Sequence, residues 1–266
     1  MRTITVVTTA GRPDDASLKL AQKVCDELGL PFEPRKKRSV AKISELLNAN
    51  VIVAGKNRFE YYTKGSTTPF FFHPNSASFR LKRVAKGEDD PFLIACQLHK
   101  GDSFLDCTLG LGSDAMLAAF VVGHDGKVVG LEENSNVAFI VSTGMKEYDT
   151  TEVPLTTCMR NIKVIQTEAI DYLCNQKDCS FDVVYMDPMF NEIIEESNNF
   201  EPLREAGSHI TLTKEWVQEA LRVAKKRVVL KAHYKSTYFE EFGFKREIRL
   251  TSKFHYGVIE KNDCFK

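Results

Sequence analysis

No apolar run in the 266-residue sequence approaches the ~20 residues that a membrane-spanning helix requires. The opening segment Met1-Arg2-Thr3-Ile4-Thr5-Val6-Val7 reads as a strand, without the apolar core and cleavage site of a secretory signal. Cysteines are few and scattered, at 25, 96, 107, 158, 174, 179 and 264. An odd, unclustered set excludes a disulfide framework and leads us to expect reduced thiols in a cytoplasm. No Gly-x-x-x-x-Gly-Lys-Ser/Thr occurs, which excludes a P-loop. The six histidines form no His-x-x-x-His pair, and Cys174 and Cys179 are not at Cys-x-x-Cys spacing, so no metal site is expected. There is no internal repeat and no low-complexity segment. What remains is the composition of a soluble globular protein, 43% hydrophobic and 27% charged, long enough to bury its own core.

Net charge is zero but unevenly spread. Residues 1–101 carry 17 Lys and Arg against 10 Asp and Glu, and residues 102–266 carry 19 against 26. A basic front half fits a polyanionic partner, and equally uneven surface decoration. Residues 1–72 read as a small α/β domain: strand 3–8, helix 14–29, breakers at Gly29, Pro31 and Pro34, a helix near 39–48, then β-like runs at 50–54, 58–63 and 69–72. Residues 73–101 read as a connector. It holds the basic stretch Phe79-Arg80-Leu81-Lys82-Arg83, and Asp89-Asp90-Pro91 opens a helix to about 98. Residues 102–266 alternate strands (102–107, 127–132, 162–166, 181–186, 227–232) with helices (near 113–122, 134–147, 168–174, 213–224, 235–242). That rhythm implies a mostly parallel sheet covered on both faces. The runs 244–250 and 253–260 read as a hairpin that adds an antiparallel edge.

The segment Ser103–Ala115 is a strand, a glycine turn and a helix start. Gly110 and Gly112 let backbone N–H groups approach a ligand closely at the strand's C-terminal edge. The spacing Gly110-x-Gly112-x-x-Ala115 fits the dinucleotide fingerprint, and also a plain strand–helix turn. The next strand, Val128-Val129-Gly130-Leu131, ends in Glu132, whose carboxylate can accept from both hydroxyls of a ribose. The third, Ile162–Gln166, leads into Thr167-Glu168, where an acid can accept from an adenine amino group. Ligand groups at three consecutive strand ends point to a nucleoside-type cofactor.

The fourth strand, Phe181–Met186, runs into Asp187-Pro188-Met189-Phe190. An acid–proline–x–aromatic tetrad suits methylation of an amine on a planar group. The amine's lone pair is delocalised into the ring, and acceptors that hold its hydrogens favour the pyramidal, nucleophilic form. The Asp187 carboxylate and the Pro188 carbonyl can supply two acceptors, and Phe190 can stack on the ring. An Asp-Pro turn after a buried strand is the simpler alternative.

These motifs resemble a known family. The strand order, Asp106-x-Thr108-x-Gly110-x-Gly112 and the tetrad are similar to class I S-adenosylmethionine-dependent methyltransferases, over roughly 88–260. More narrowly, Asp106-Cys-Thr-Leu-Gly-Leu-Gly-Ser-Asp114-Ala with Asp187-Pro-Met-Phe190 resembles the small-subunit ribosomal RNA guanine-N2 methyltransferase family. Met189 departs from the two prolines usual among relatives acting on base amines but agrees with the narrower family. The acidic continuation Asn191-Glu192-Ile193-Ile194-Glu195-Glu196 departs from that family's proline and basic segment.

The resemblance implies a Rossmann-like methyltransferase sheet and S-adenosyl-L-methionine at the strand ends. The amides after Gly112 and the Asp106 charge would serve the methionine moiety, with Glu132 on the ribose and Glu168 on the adenine. The implied acceptor is a guanine amine of small-subunit ribosomal RNA, with phosphate contacts from Arg80, Lys82 and Arg83. The rivals are an NAD-dependent oxidoreductase, a non-catalytic RNA-binding module, and a methyltransferase of a protein glutamine or a small molecule. Asp106 disfavours the first, because a negative charge beside the loop suits an ammonium better than a pyrophosphate. A stacking platform of Phe59, Tyr61, Tyr62 and Phe70–Phe72, phosphate contacts from Arg35–Arg38, and a pocket role for His209 are weaker readings than core packing, a solvated loop and a surface histidine.

Overall fold

The computed structural model describes residues 3–56, 58–151, 153–188, 211–250 and 252–261. Met189, Phe190 and His209 therefore lie outside the described residues.

The chain begins with β1 (Thr5–Thr9), α1 (Asp15–Leu28), α2 (Val40–Leu47), β2 (Asn50–Ala54) and β3 (Phe59–Tyr62). Local chemistry sets these boundaries. Asp14 caps α1 by accepting from the Ser17 amide, and Gly29 ends it in the left-handed region. Ser39 caps α2 in the same way. The three strands form one sheet in the order β1-β2-β3, parallel then antiparallel. The expected run 69–72 contributes only an isolated bridge, Tyr61 to Phe70.

The connector is more helical than its sequence suggests. The basic stretch lies on α3 (Asn75–Val84), followed by α4 (Pro91–Cys96) with Asp90 as its N-cap. Then come β4 (Ser103–Asp106), α5 (Ser113–Val122), β5 (Lys127–Glu132), α6 (Ser135–Glu147), α7 (Val153–Arg160), β6 (Ile162–Gln166), α8 (Ala169–Cys174) and β7 (Phe181–Met186). After the undescribed stretch follow α9 (Lys214–Val223), β8 (Ala224–His233), α10 (Tyr238–Glu241), β9 (Lys245–Glu247) and β10 (Phe254–Glu260). Helix α7 was not anticipated. Proline in a first turn is compatible with a helix, and Leu155, Cys158 and Met159 bury one face of it.

The large sheet has the order β6-β5-β4-β7-β8-β10-β9. Strands β4 to β8 are parallel, and β10 lies antiparallel between β8 and β9, the edge hairpin that the sequence suggests. The strand order reverses at β4, which pairs with β5 on one side and β7 on the other. In such sheets the crevice outside the carboxyl ends at the reversal is where ligands bind.

Strand alternation splits the core into two layers. Phe104, Val128, Val183, Tyr185 and Val229 face a cluster shared with α3 to α7. Leu105, Val129, Leu131, Val184, Met186 and Leu230 face α8, α9 and α10. The small sheet joins the first layer. Phe59 meets Phe139 edge-on with ring centroids 5.2 Å apart, and the Asn136 side-chain amide donates to Thr5 Oγ1 at 3.3 Å. Phe59, Tyr61, Phe70 and Phe72 are buried, so these aromatics form core and not a platform. The expectation of reduced thiols holds at Cys25, Cys96, Cys107, Cys158 and Cys174, which are free, and fails at Cys179, which is disulfide-bonded. Spacing along the chain does not reveal a pairing that only folding brings together. Among the described residues no helix is long and apolar enough to cross a membrane.

Gly144 on α6 sits where the two sheets meet. A Cβ there would lie 2.3–2.5 Å from Phe72 Cγ, Cδ1 and Cβ, closer than carbon atoms approach. Overpacking of this kind costs ~1–3 kcal/mol, against ~1 kcal/mol gained by alanine over glycine in a helix. Gly144→Ala should therefore lower the urea midpoint despite its better helix propensity, and adding Phe72→Leu should recover part of the loss. A raised midpoint for the single variant would contradict this seating.

Candidate active site

The reversal point brings four strand ends together. Asp106 ends β4 and is almost wholly buried; its Oδ1 accepts from the Thr108 amide at 3.0 Å. The chain then turns through Gly110 (φ 50°) and Gly112 (φ 73°) into α5. Gly112 is the N-cap of α5, and a Cβ on it would collide with Met145 Cε at 2.2 Å. Positive φ and close packing together explain glycine at this position. The turn is fastened on both flanks: the Leu109 amide donates to Leu131 O of β5, and the Cys107 amide to Tyr185 O of β7, both at 2.9 Å.

Glu132 closes β5. Its Oε1 accepts from the Asn134 amide at 3.0 Å. Its neighbour Glu133 has a buried Oε2 with no hydrogen-bond partner among the described residues. Glu168 is exposed at the N-cap position of α8, and its side chain caps nothing. It shares the rim with Glu132, whose carbonyl accepts from the Thr167 amide at 3.0 Å.

Asp187 follows β7. Its amide donates to Thr108 Oγ1 at 2.7 Å, which ties the start of the tetrad directly to the glycine loop. Its Oδ2 lies 2.6 Å from Lys231 Nζ of β8. Pro188 is buried.

A charge array lies beneath these groups. Asp114 of α5 accepts from Arg80 Nη1 at 2.6 Å, from the Tyr185 hydroxyl at 2.8 Å and from Lys231 Nζ at 3.4 Å. Arg80 also grips both oxygens of Asp90, at 2.8 and 2.9 Å. This corrects the expected phosphate role of Arg80. Its side chain is 19% exposed and held by two carboxylates, because α3 packs inward against α5. Lys82 and Arg83 do lie on the exposed face of α3, where Arg83 pairs with Glu88 at 2.7 Å. The inward turn of α3 is legible only in retrospect, from Ala77 and Leu81, which flank Arg80 on the buried side.

Environment separates the carboxyls. Burial pushes Asp106 up to about 8, with Asp114 and Asp187 adding to the rise and the Thr108 amide opposing it. Burial likewise pushes Glu132 up to about 7, against the amides of Asn134 and Gly110. Burial also raises Asp187, with Lys231 as the main opposing charge. At Asp114 burial is outweighed by Lys231, Arg80 and Tyr185, which hold it well below the usual carboxylate range. Asp106, Glu132 and Glu133 thus supply buried acceptors at a glycine turn whose backbone is open to close approach. The donor set fits a ligand with an ammonium group, hydroxyls and a carboxylate.

A family model described as "Putative SAM-dependent methyltransferase" matches residues 67–255, and the chain belongs to that family. Its cofactor is S-adenosyl-L-methionine. It is 45% identical over 255 residues to "Uncharacterized protein YpiP" of Bacillus subtilis, spanning 96% of this chain and 99% of that protein. It is 37% identical over 113 residues to "Ribosomal RNA small subunit methyltransferase J" of Acinetobacter baylyi, covering 42% of this chain and 40% of that enzyme. The SAM-dependent methyltransferase NGO1261 from Neisseria gonorrhoeae shares the fold, with a TM-score of 0.60, 18% identity, and coverage of 96% of this chain and 95% of that one. Family membership favours methyl transfer over the NAD-dependent alternative.

The raised carboxyls make a pH signature. The unfolded chain ionises its acids near pH ~4, whereas the folded protein keeps Asp106 and Glu132 neutral to about 8 and about 7. Their stabilising contribution is complete at low pH and is lost as pH rises through those folded values. The cofactor-free protein should therefore lose thermal stability from roughly pH 5 to 9, and Asp106→Asn and Glu132→Gln should each flatten the slope. Melting curves across that range are the check; equal slopes in parent and variants would refute the assignment.

Proposed function

We propose that the protein transfers a methyl group from S-adenosyl-L-methionine to an exocyclic amine of RNA, a guanine N2 of small-subunit ribosomal RNA. The observation that carries this reading is the Thr108–Asp187 hydrogen bond. It sets the acid and the proline of the tetrad against the loop expected to hold the cofactor. The partial match to a ribosomal RNA methyltransferase supports the same substrate class.

The residues have separate tasks. Backbone amides of the turn around Gly110 and Gly112 receive the methionine carboxylate, and Asp106 faces its ammonium. Thr108 holds the loop to Asp187. Glu132 takes the ribose hydroxyls and Glu168 the adenine amine. The cofactor supplies an electrophilic methyl on a sulfonium. Asp187 and the Pro188 carbonyl hold the hydrogens of the acceptor amine, which keeps its lone pair directed at the methyl. Phe190 is assigned from the tetrad to stack on the base. Lys82 and Arg83 remain the phosphate contacts on α3.

Incubation with labelled cofactor and RNA lacking its modifications, followed by nucleoside mass spectrometry, tests the substrate. N2-methylguanosine is expected; label in the protein or small-molecule fraction would favour those acceptors instead.

Two variants test the division of labour. Glu132→Ala should weaken S-adenosylhomocysteine binding by calorimetry, since hydrogen bonds to a charged group contribute ~1.5–3 kcal/mol each. Asp187→Ala should leave that affinity nearly unchanged and slow single-turnover methylation by ~10²–10³, the usual loss for a preorganised group. A parental rate in Asp187→Ala would reduce the tetrad to a turn.

A further inference from the structure

Lys231 is the one charged residue in the β8 run Val228-Val229-Leu230-Lys231-Ala232, and it has no part in the reading above. Its side chain is 23% exposed, and its ammonium reaches two carboxylates, Asp187 Oδ2 at 2.6 Å and Asp114 Oδ2 at 3.4 Å. Asp114 is itself immobilised by Arg80 and the Tyr185 hydroxyl. A series of fixed contacts thus runs from α3 through α5 and β8 to the tetrad. At Asp187 the amide is committed to Thr108 and Oδ2 to Lys231. Oδ1 makes no hydrogen bond among the described residues, and the side chain is 28% exposed.

We propose that Lys231 is the positioning residue of the acceptor site: anchored on Asp114, its ammonium binds one oxygen of Asp187 and turns the other to the substrate amine. The inference rests on the amine-methylation reading. In the reaction the amine nitrogen gives its lone pair to the methyl carbon. The carbon–sulfur bond breaks, with its electrons left on sulfur. One N–H proton passes to Asp187 Oδ1 and from there to water. Lys231 touches none of the reacting atoms. It fixes the orientation of Asp187 and opposes the rise that burial gives its carboxyl.

The second task gives a readout that a merely structural lysine would not move. The groups facing Asp187 are Lys231 on β8, Asp114 on α5, Arg80 on α3, Asp106 on β4, Tyr185 on β7 and Tyr256 on β10. Of these, Lys231 is the nearer cation, and it outranks Arg80 in holding the Asp187 carboxyl down. An opposite charge at this range shifts a carboxyl by ~1–3 pH units. Single-turnover methylation at saturating cofactor should therefore show an acidic limb moved up by ~1–3 units in Lys231→Met, with the rate near neutral pH lowered ~10-fold or more. Lys231→Arg should keep the parental limb. Independently of activity, the ¹³C carboxyl resonance of Asp187, assigned by its loss in Asp187→Asn, should titrate at higher pH in Lys231→Met.

If Lys231→Met does not fold, Lys231→Met with Asp114→Asn is measured in its place and compared with Asp114→Asn alone, because Asp114 raises the Asp187 carboxyl and Lys231 lowers it. An unmoved limb and an unmoved Asp187 titration in the folded variant overturn the proposal. Absence of amine methylation by the parent overturns the acceptor reading instead, and the titration still decides whether Lys231 governs Asp187.

Discussion

Asp114 is a carboxylate 9% exposed, held between three donors from three elements. Taking such a charge out of water costs several kcal/mol, and only well-placed partners offset it. The partners here are Arg80 from α3, Tyr185 from β7 and Lys231 from β8, while Arg80 is braced by Asp90 at the start of α4. Each of these elements supplies a partner that helps to keep the carboxylate ionised. The array therefore discriminates against arrangements in which α3 lifts away or β8 slips in register. A one-residue slip would carry Lys231 to the opposite face of the sheet, leaving Asp187 without its ion-pair partner and Asp114 with Arg80 as its remaining cation.

The same edge of the sheet holds carboxyls in contrasting states. Asp114 is surrounded by cations and a hydroxyl and stays ionised, whereas Asp106 has the amide and, at 3.5 Å, the hydroxyl of Thr108 for partners and two like charges nearby, and burial drives it towards the neutral form. Glu132 is offered the amides of Asn134, Gly110 and Glu133, which do not outweigh its burial. Saturated acids hold structure; under-saturated ones have capacity left for a ligand. The division falls along the elements. The saturated acid is on helix α5, packed between α3 and the sheet, and the under-saturated pair ends β4 and β5 beside the glycine turn.

Much of this was legible from the chain. Alternation of strands and helices from 102 onward marks a parallel sheet, because a strand buried on both faces and an amphipathic helix have different periods. Glycines at 110 and 112 mark the turn, since their positive φ leaves few other residues suitable. The fastenings were less visible. Thr108 was part of the quoted motif, but its hydroxyl bonding the Asp187 amide is a contact across 79 positions that no local pattern encodes. Arg80 was misread because a basic stretch looks like a solvated face until the helix phase is known; Ala77 and Leu81 turn that arginine inward. Lys231 did carry a signal, a charge inside an apolar strand. Such a residue is rarely buried without a partner, and its partners are Asp114 and Asp187.

The inward turn of Arg80 also changes what the charge asymmetry can do. A polyanion at long range responds to net charge, and pairing Arg80 with Asp90 and Asp114 leaves that sum unaltered. At contact range the sum no longer matters, since beyond the ~8–10 Å Debye length salt screens it and within that length individual groups decide. On α3, Lys82 and Arg83 lie on the exposed face opposite the array, and Arg83 is paired there with Glu88. Arg80 instead fixes the helix that carries them. A basic stretch that reads as a single surface is therefore divided by the helical period, with one cation held by Asp90 and Asp114 against the sheet and its neighbours facing solvent.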